Sequence, residues 1–194
     1  MGTGDGSTQL MNRQTYLYPH DLFTSGALSD LKTWTCVRSR PRWEKKFVAW
    51  AAGQRIPHFL PVYEQQTISH RKRRVTEHPL FPGYIFVAGD YDKSAFSRSA
   101  FVVYLLKPRS LHEAAELSME LLHVWRGLEQ GTHPSPARGI DPGEDVEIVS
   151  GPLMGTQGRL LRRGGDMSLI LWVNMLGTGV EVRIGQDADV RRLD

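Results

Sequence analysis

The chain has 194 residues, 40% hydrophobic and 23% charged, with a formal net charge of +3. That is an ordinary globular composition with room for one or two domains. Cys36 is the single cysteine, which excludes an intramolecular disulfide and a cysteine-built zinc site. It sits in an apolar strand pattern and reads as a small core residue. No charged leader with an apolar core is visible, and no apolar run reaches membrane length. The expectation is a cytoplasmic protein with no membrane partner.

The charge is unevenly spread. Residues 32–78 carry eleven Lys/Arg against three Glu, whereas 1–31, 79–130 and 131–194 are each slightly acidic. A local basic field suits a polyanion or an acidic protein surface, or forms a solvated face.

In chain order, residues 1–31 are rich in Gly, Ser, Thr and Asp without apolar period, which predicts a mobile tail. Thr33–Ser39 alternates as a strand. In the stretch that follows, Trp43, Phe47, Trp50, Ala51 and Gln54 fall at helical spacing. Glu44, Lys45 and Lys46 are assigned to the outer side, and Gly53 and Pro57 end the helix. Phe59–Ile68 reads as a strand running into a basic loop, Arg71, Lys72, Arg73 and Arg74. Tyr84–Ala88 is a strand, Lys93–Arg98 a short helix, and Phe101–Lys107 a further strand. Ser110 and Glu113 form a capping box before a helix of about five turns. The β-α-β-β-α-β-α order predicts an α+β domain, an antiparallel sheet with flanking helices.

Residues 131–140 hold two Pro and two Gly and read as a linker. Beyond it come short strands separated by Gly-rich turns, which predicts a small all-β barrel. The expected division is a tail 1–31, a first domain 32–130, a linker 131–140 and a barrel 141–194. Met167–Leu176 is apolar without strict alternation. Glycines bound it on both sides, and the next segment alternates with β-branched residues, so a strand is expected there.

No catalytic constellation emerges. The seven His are scattered, with no i, i+4 pair on a helix. The stretch Gly151–Gly158 lacks the Lys-Ser/Thr ending of a phosphate loop. No enzyme activity, cofactor or metal is expected. Binding is the remaining class. Phe81, Tyr84 and Phe86 surround a Pro82-Gly83 turn beside the basic stretch. Tyr84 and Phe86 share one strand face, and Ile85 and Val87 take the other. Two readings stand: packing of a strand core, or an aromatic anchor for a protein partner.

The segment from Trp34 to Gly89 resembles the N-terminal domain of NusG-type transcription elongation factors. Its matching pieces are the Trp34 strand, RPRWEKK at the helix entry, Phe59-Leu60-Pro61, and LFPGYIFV at Leu80–Val87. Pro142–Leu160 resembles the KOW domain of the same family. RSRPRWEKK, HRKRRV and SGPLMGTQG further resemble the operon-dedicated paralogues of the RfaH, UpxY and LoaP types. Housekeeping members tend to carry Phe where this chain has Leu153, and an aromatic where it has Thr35. The resemblance implies a non-enzymatic antitermination factor. It implies that Phe81, Tyr84 and Phe86 meet the clamp helices of RNA polymerase. The basic cluster, Arg71–Arg74 with Arg38, Arg40 and Arg42 as neighbours, would meet upstream or non-template DNA. The KOW domain would recruit a ribosomal protein, Rho or nascent RNA. The alternatives are a housekeeping NusG-like factor and a stand-alone KOW-type RNA- or ribosome-binding protein.

Overall fold

The computed structural model describes residues 16–24, 33–69, 72–130, 134–136, 143–163, 166–185 and 188–193. The chain divides into two compact units, Met1–Ala115 and Glu116–Asp194.

The first unit is α+β. Strands β1 (Leu17–Tyr18), β2 (Trp34–Ser39), β3 (His58–Phe59), β6 (Tyr84–Ala88) and β7 (Val102–Leu106) form an antiparallel sheet ordered β1-β3-β6-β2-β7. Helix α1 (Glu44–Gly53) covers one face of it. Phe47, Val48 and Ala51 are buried with Val37, Ile85 and Val87. This is the division of faces that alternation in Tyr84–Ala88 predicts. The helix ends where Arg55 turns to φ 56° and the Ile56 N–H closes on the Ala51 carbonyl at 2.9 Å. The short helix expected near Lys93 is a 3₁₀ turn, Lys93–Phe96.

Among the described residues, strands β4 (Val62–Ser69) and β5 (Lys72–Pro79) pair only with each other, as a two-stranded ribbon. The basic cluster therefore departs from the loop reading: Lys72, Arg73 and Arg74 lie in β5, and Arg71 falls outside the described residues. A second departure concerns the tail. Residues 16–24 are ordered against the sheet because Leu17 and Tyr18 supply the ladder at its β3 edge, while Tyr16, Leu22 and Phe23 are buried. The rest of 1–31 lies outside the described residues.

The second unit holds a six-stranded antiparallel sheet: β8 (Ser135–Pro136), β9 (Glu144–Ile148), β10 (Gln157–Arg163), β11 (Asp166–Val173), β12 (Thr178–Ile184) and β13 (Val190–Arg192), ordered β13-β9-β10-β11-β12-β8. These strands are the small β part of the expected fold class. Met167–Val173 is strand, because Ser168–Leu171 is buried on both sheet faces, and the run then turns through Asn174–Leu176. Within the segment read as a linker, Ser135 and Pro136 pair with Glu181 and Val180.

Helix α2 (Leu111–Glu129) opens with the expected cap: the Glu113 N–H donates to Ser110 Oγ at 3.1 Å. Its residues 116–129 belong to the second unit for a packing reason. Gly127 lies so close to β11 and β12 that a Cβ there would stand 2.7 Å from Leu171 Cδ1 and 3.1 Å from Val182 Cγ2. Glu120 Oε1 accepts the Asn174 N–H at 3.1 Å. His123, buried between these contacts, has its pKa lowered to about 4, first by burial and then by Arg126. The unit boundary consequently falls inside α2, at 115/116, and not after residue 130.

Candidate functional site

The Pro82-Gly83 turn is built by its neighbours. Gly83 has φ +84°, the third-position geometry of a type II turn with Pro ahead of it, and the Tyr84 N–H closes on the Phe81 carbonyl at 3.0 Å. A Cβ there would also fall 2.4 Å from Arg38 Nη1, so the Arg38 side chain would have to give way. Three bonds fix the turn to the rest of the unit. The Ser39 N–H donates to the Gly83 carbonyl at 2.8 Å, Arg38 Nη1 donates to the Pro82 carbonyl at 2.8 Å, and the buried Gly83 N–H donates to Glu44 Oε1 at 2.7 Å. Glu44 is itself buried, contrary to its expected place on the outer side of α1. Helical spacing alone put it outside; a first-turn carboxylate facing a turn 39 residues away has no local signature.

The aromatic trio divides. Phe81 and Phe86 are 1% and 0% exposed and pack edge to face, centroids 5.7 Å apart. They do not line an open pocket. Tyr84 is half-buried. The Arg38 guanidinium lies 4.5 Å from its ring centroid, and its hydroxyl is 3.4 Å from that of Tyr104, which is 43% exposed. The hydrogen bond to Tyr104, ahead of burial, raises the Tyr84 pKa. Pairing of Arg38 with both Tyr84 and Tyr104 puts the three on one sheet face. At the other end of that face, Phe23 stacks on Trp34 at 5.8 Å and meets Phe59 edge-on at 5.1 Å. One end is thus covered by the chain itself, and the other presents Tyr84, Tyr104 and Arg38. Tyr104 was missed because nothing local in its strand pattern separates an edge residue from a core one.

The cationic set also divides. Arg38 is engaged with Pro82 and Tyr84. Arg40 and Arg42 are exposed beside the entry of α1, and Arg42 has φ 66°. Arg73 and Arg74 are exposed on the ribbon, where Val75 is 53% exposed. Lys72 pairs with Ser69 near the ribbon's turn. Among the described residues, the ribbon's cations share no ladder with the strands that carry the Arg38 cluster.

In the second unit, a cleft of about 260 Å³ is lined by Ile148, Pro152, Leu153 and Ile184 among others. Leu153 is nearly buried there, and the adjacent Met154 is 64% exposed.

Residues 32–117 match the family described as "Transcription termination factor nusG". A curated relative, the transcription termination/antitermination protein NusG of Helicobacter pylori, is 31% identical over 88 residues. The alignment covers 42% of this chain and 47% of that protein, so the chain spans about half the length of the relative it matches. A solved structure described as a domain interaction in Thermotoga maritima NusG aligns over 84% of this chain and 97% of its own, at 18% identity and a TM-score of 0.44. A second, of the MjSpt4:Spt5 complex, aligns at 16% identity over 82% of this chain and 96% of its own, with a TM-score of 0.23. The family model is thus similar to residues 32–117 of this chain, the span that holds α1, the ribbon and the Pro82-Gly83 turn.

Proposed function

We propose that this chain is a NusG-type transcription elongation and antitermination factor, acting by binding and not by catalysis. Its first unit docks on the clamp helices of RNA polymerase through the exposed end of the aromatic face, Tyr84 with Tyr104 and Arg38. Phe81 and Phe86 support that end from below. The ribbon carries Arg73 and Arg74 to upstream or non-template DNA, and the neighbouring cations Lys72 and Arg71 contribute to the same contact. The Leu153 cleft of the second unit receives a protein or RNA partner. The observation that carries this reading is the turn itself: a buried carboxylate, a guanidinium and a positive-φ glycine fix one half-buried tyrosine at the surface, within the span similar to NusG proteins. Aromatic and Arg residues held rigidly at a surface are the residue types of interface anchors.

The narrower reading, a factor dedicated to particular operons, draws on Leu153 and on Thr35. The Thr35 hydroxyl donates to the Gly89 carbonyl at 2.8 Å and accepts the Tyr91 N–H at 3.1 Å, at a fully buried position.

Affinity purification of the tagged full chain from lysate treated with nuclease tests the proposal. Retention of RNA polymerase after nuclease treatment is the expected result. Recovery of ribosomal subunits or RNA without polymerase would replace it with the stand-alone RNA- or ribosome-binding reading. Transcription assays on templates with and without the native operon leader then separate a dedicated factor from a general one.

A further inference from the structure

The N-terminal residues 16–24 grip the first unit at three places. Leu17 and Tyr18 pair with Phe59 and His58, and the Tyr16 carbonyl accepts the Leu60 N–H at 2.7 Å. Leu22 is fully buried, and Phe23 lies against Trp34 and Phe59. The third grip is on the ribbon. The Tyr16 hydroxyl donates to Glu77 Oε2 at 2.6 Å, and Lys45 Nζ of α1 donates to the same oxygen at 3.2 Å. Lys45 Nζ also lies 5.4 Å from the Tyr16 ring centroid.

Glu77 stands two residues from the end of β5, at the ribbon's foot. A two-stranded ribbon has little stability of its own, and this one shares no ladder with the five-stranded sheet. Its pose is set by what holds the foot. Eight residues at ~3.3 Å each make an arm of roughly 26 Å. A swing of about 10° at the foot moves the far end by about 4–5 Å, whereas a hydrogen bond to a phosphate tolerates a few tenths of an ångström. A packing element alone would serve with Phe at position 16. The hydroxyl, part-buried and aimed at a carboxylate, adds direction.

We propose that residues 16–24 are a positioning strap: through Tyr16 and Glu77 they set the angle of the β4–β5 ribbon, and so decide where its cations meet nucleic acid. The functional half of this inference rests on the reading of the ribbon as the nucleic-acid contact.

The test uses the full chain with spin labels on V75C, exposed in the ribbon, and A49C, exposed on α1; Cys36 is buried and stays unlabelled. The parent should give one narrow distance distribution. Y16F, which keeps the ring and loses the hydroxyl, and removal of residues 1–24 should each broaden it. In unlabelled protein, both changes should also lower the salt dependence of binding to an assembled elongation complex, by about one unit of slope for each phosphate the ribbon no longer neutralises. A distribution unchanged in both variants overturns the strap. If the truncated chain unfolds, an unchanged distribution in Y16F alone overturns it. A broadened distribution with an unchanged salt slope supports the strap and overturns the nucleic-acid reading of the ribbon.

Discussion

The Pro82-Gly83 turn and the β4–β5 ribbon are neighbours in sequence and opposites in construction. Around the turn, Leu80, Phe81, Gly83, Ile85 and Phe86 are buried, and a carboxylate and a guanidinium are spent on holding backbone. On the ribbon, Glu64, Gln65, Gln66, Arg73, Arg74, Val75 and Thr76 are exposed, and among the described residues the two strands form their ladder with each other alone. The difference separates two ways of presenting a contact. The turn fixes a single side chain with the fold's core behind it. The ribbon extends many side chains and depends on its foot for direction.

Phe86 is where the two constructions should differ most. Phe86→Ala should lower unfolding free energy by about 3–5 kcal/mol, the usual cost of emptying a buried phenylalanine site. Val75→Ala on the ribbon should stay within about 0.5 kcal/mol. Denaturant unfolding of the two variants measures both. Equal, small effects would place Phe86 in a surface pocket after all.

Glu44 comes next. Glu44→Ala leaves the buried Gly83 N–H without its acceptor, which should cost roughly 1.5–3 kcal/mol. Because the turn carries Tyr84, polymerase affinity should fall too, although Glu44 itself is 5% exposed and has little surface to offer a partner. A stable variant with wild-type affinity would show that the turn holds its shape without this bond.

Tyr84→Ala sharpens the contrast between support and contact. Its ring is half-buried and its hydroxyl meets the exposed Tyr104, so the expected loss of stability is about 1 kcal/mol or less. Binding to isolated clamp helices should weaken by roughly 1–3 kcal/mol. Calorimetric titration beside thermal unfolding separates the two quantities. A large stability loss with normal affinity per folded molecule would return Tyr84 to the core.

Much of this was legible in the sequence, for identifiable reasons. Alternation in Tyr84–Ala88 assigned Ile85 and Val87 to the helix side, because a strand has only two faces and α1 supplies apolar residues to one. The Ser110–Glu113 cap and the β-strand character of Met167–Val173 were local matters as well. What escaped was non-local. Burial of Phe81 and Phe86 depends on what else packs on that face, and periodicity carries no record of it. Glu44, Tyr16 and Glu77 meet partners 39, 61 and 32 residues away, counting Glu77 to Lys45. The basic stretch reads as a loop because RKRR resembles a solvated run, and the pairing of Lys72–Pro79 with Val62–Ser69 is a property of the two strands together.

The smallest predicted effect lies within the ribbon, between adjacent arginines. Cross-strand partners share a face. His78 opposite Tyr63 and Thr76 opposite Gln65 therefore stand on the side of Arg74. The Thr76 hydroxyl is 2.9 Å from His78 Nε2, and the Tyr63 and His78 rings are 5.8 Å apart, as that assignment requires. Val75 and Glu77, with Gln66 and Glu64 opposite, stand on the side of Arg73. Among the described side chains, both ribbon carboxylates are thus on the Arg73 face, and the Arg74 face holds hydroxyl, amide, imidazole and phenol groups. A phosphate backbone is repelled by the first and accommodated by the second. Arg74→Ala should therefore lower the salt slope of binding to an elongation complex by about one unit, and Arg73→Ala by clearly less. Titration across a range of salt concentrations reads both slopes. Equal reductions would mean that the turn alone, and no single face of the ribbon, meets the nucleic acid. No reduction from either would make the ribbon a solvated arm and leave the turn at Pro82-Gly83 as the first unit's contact.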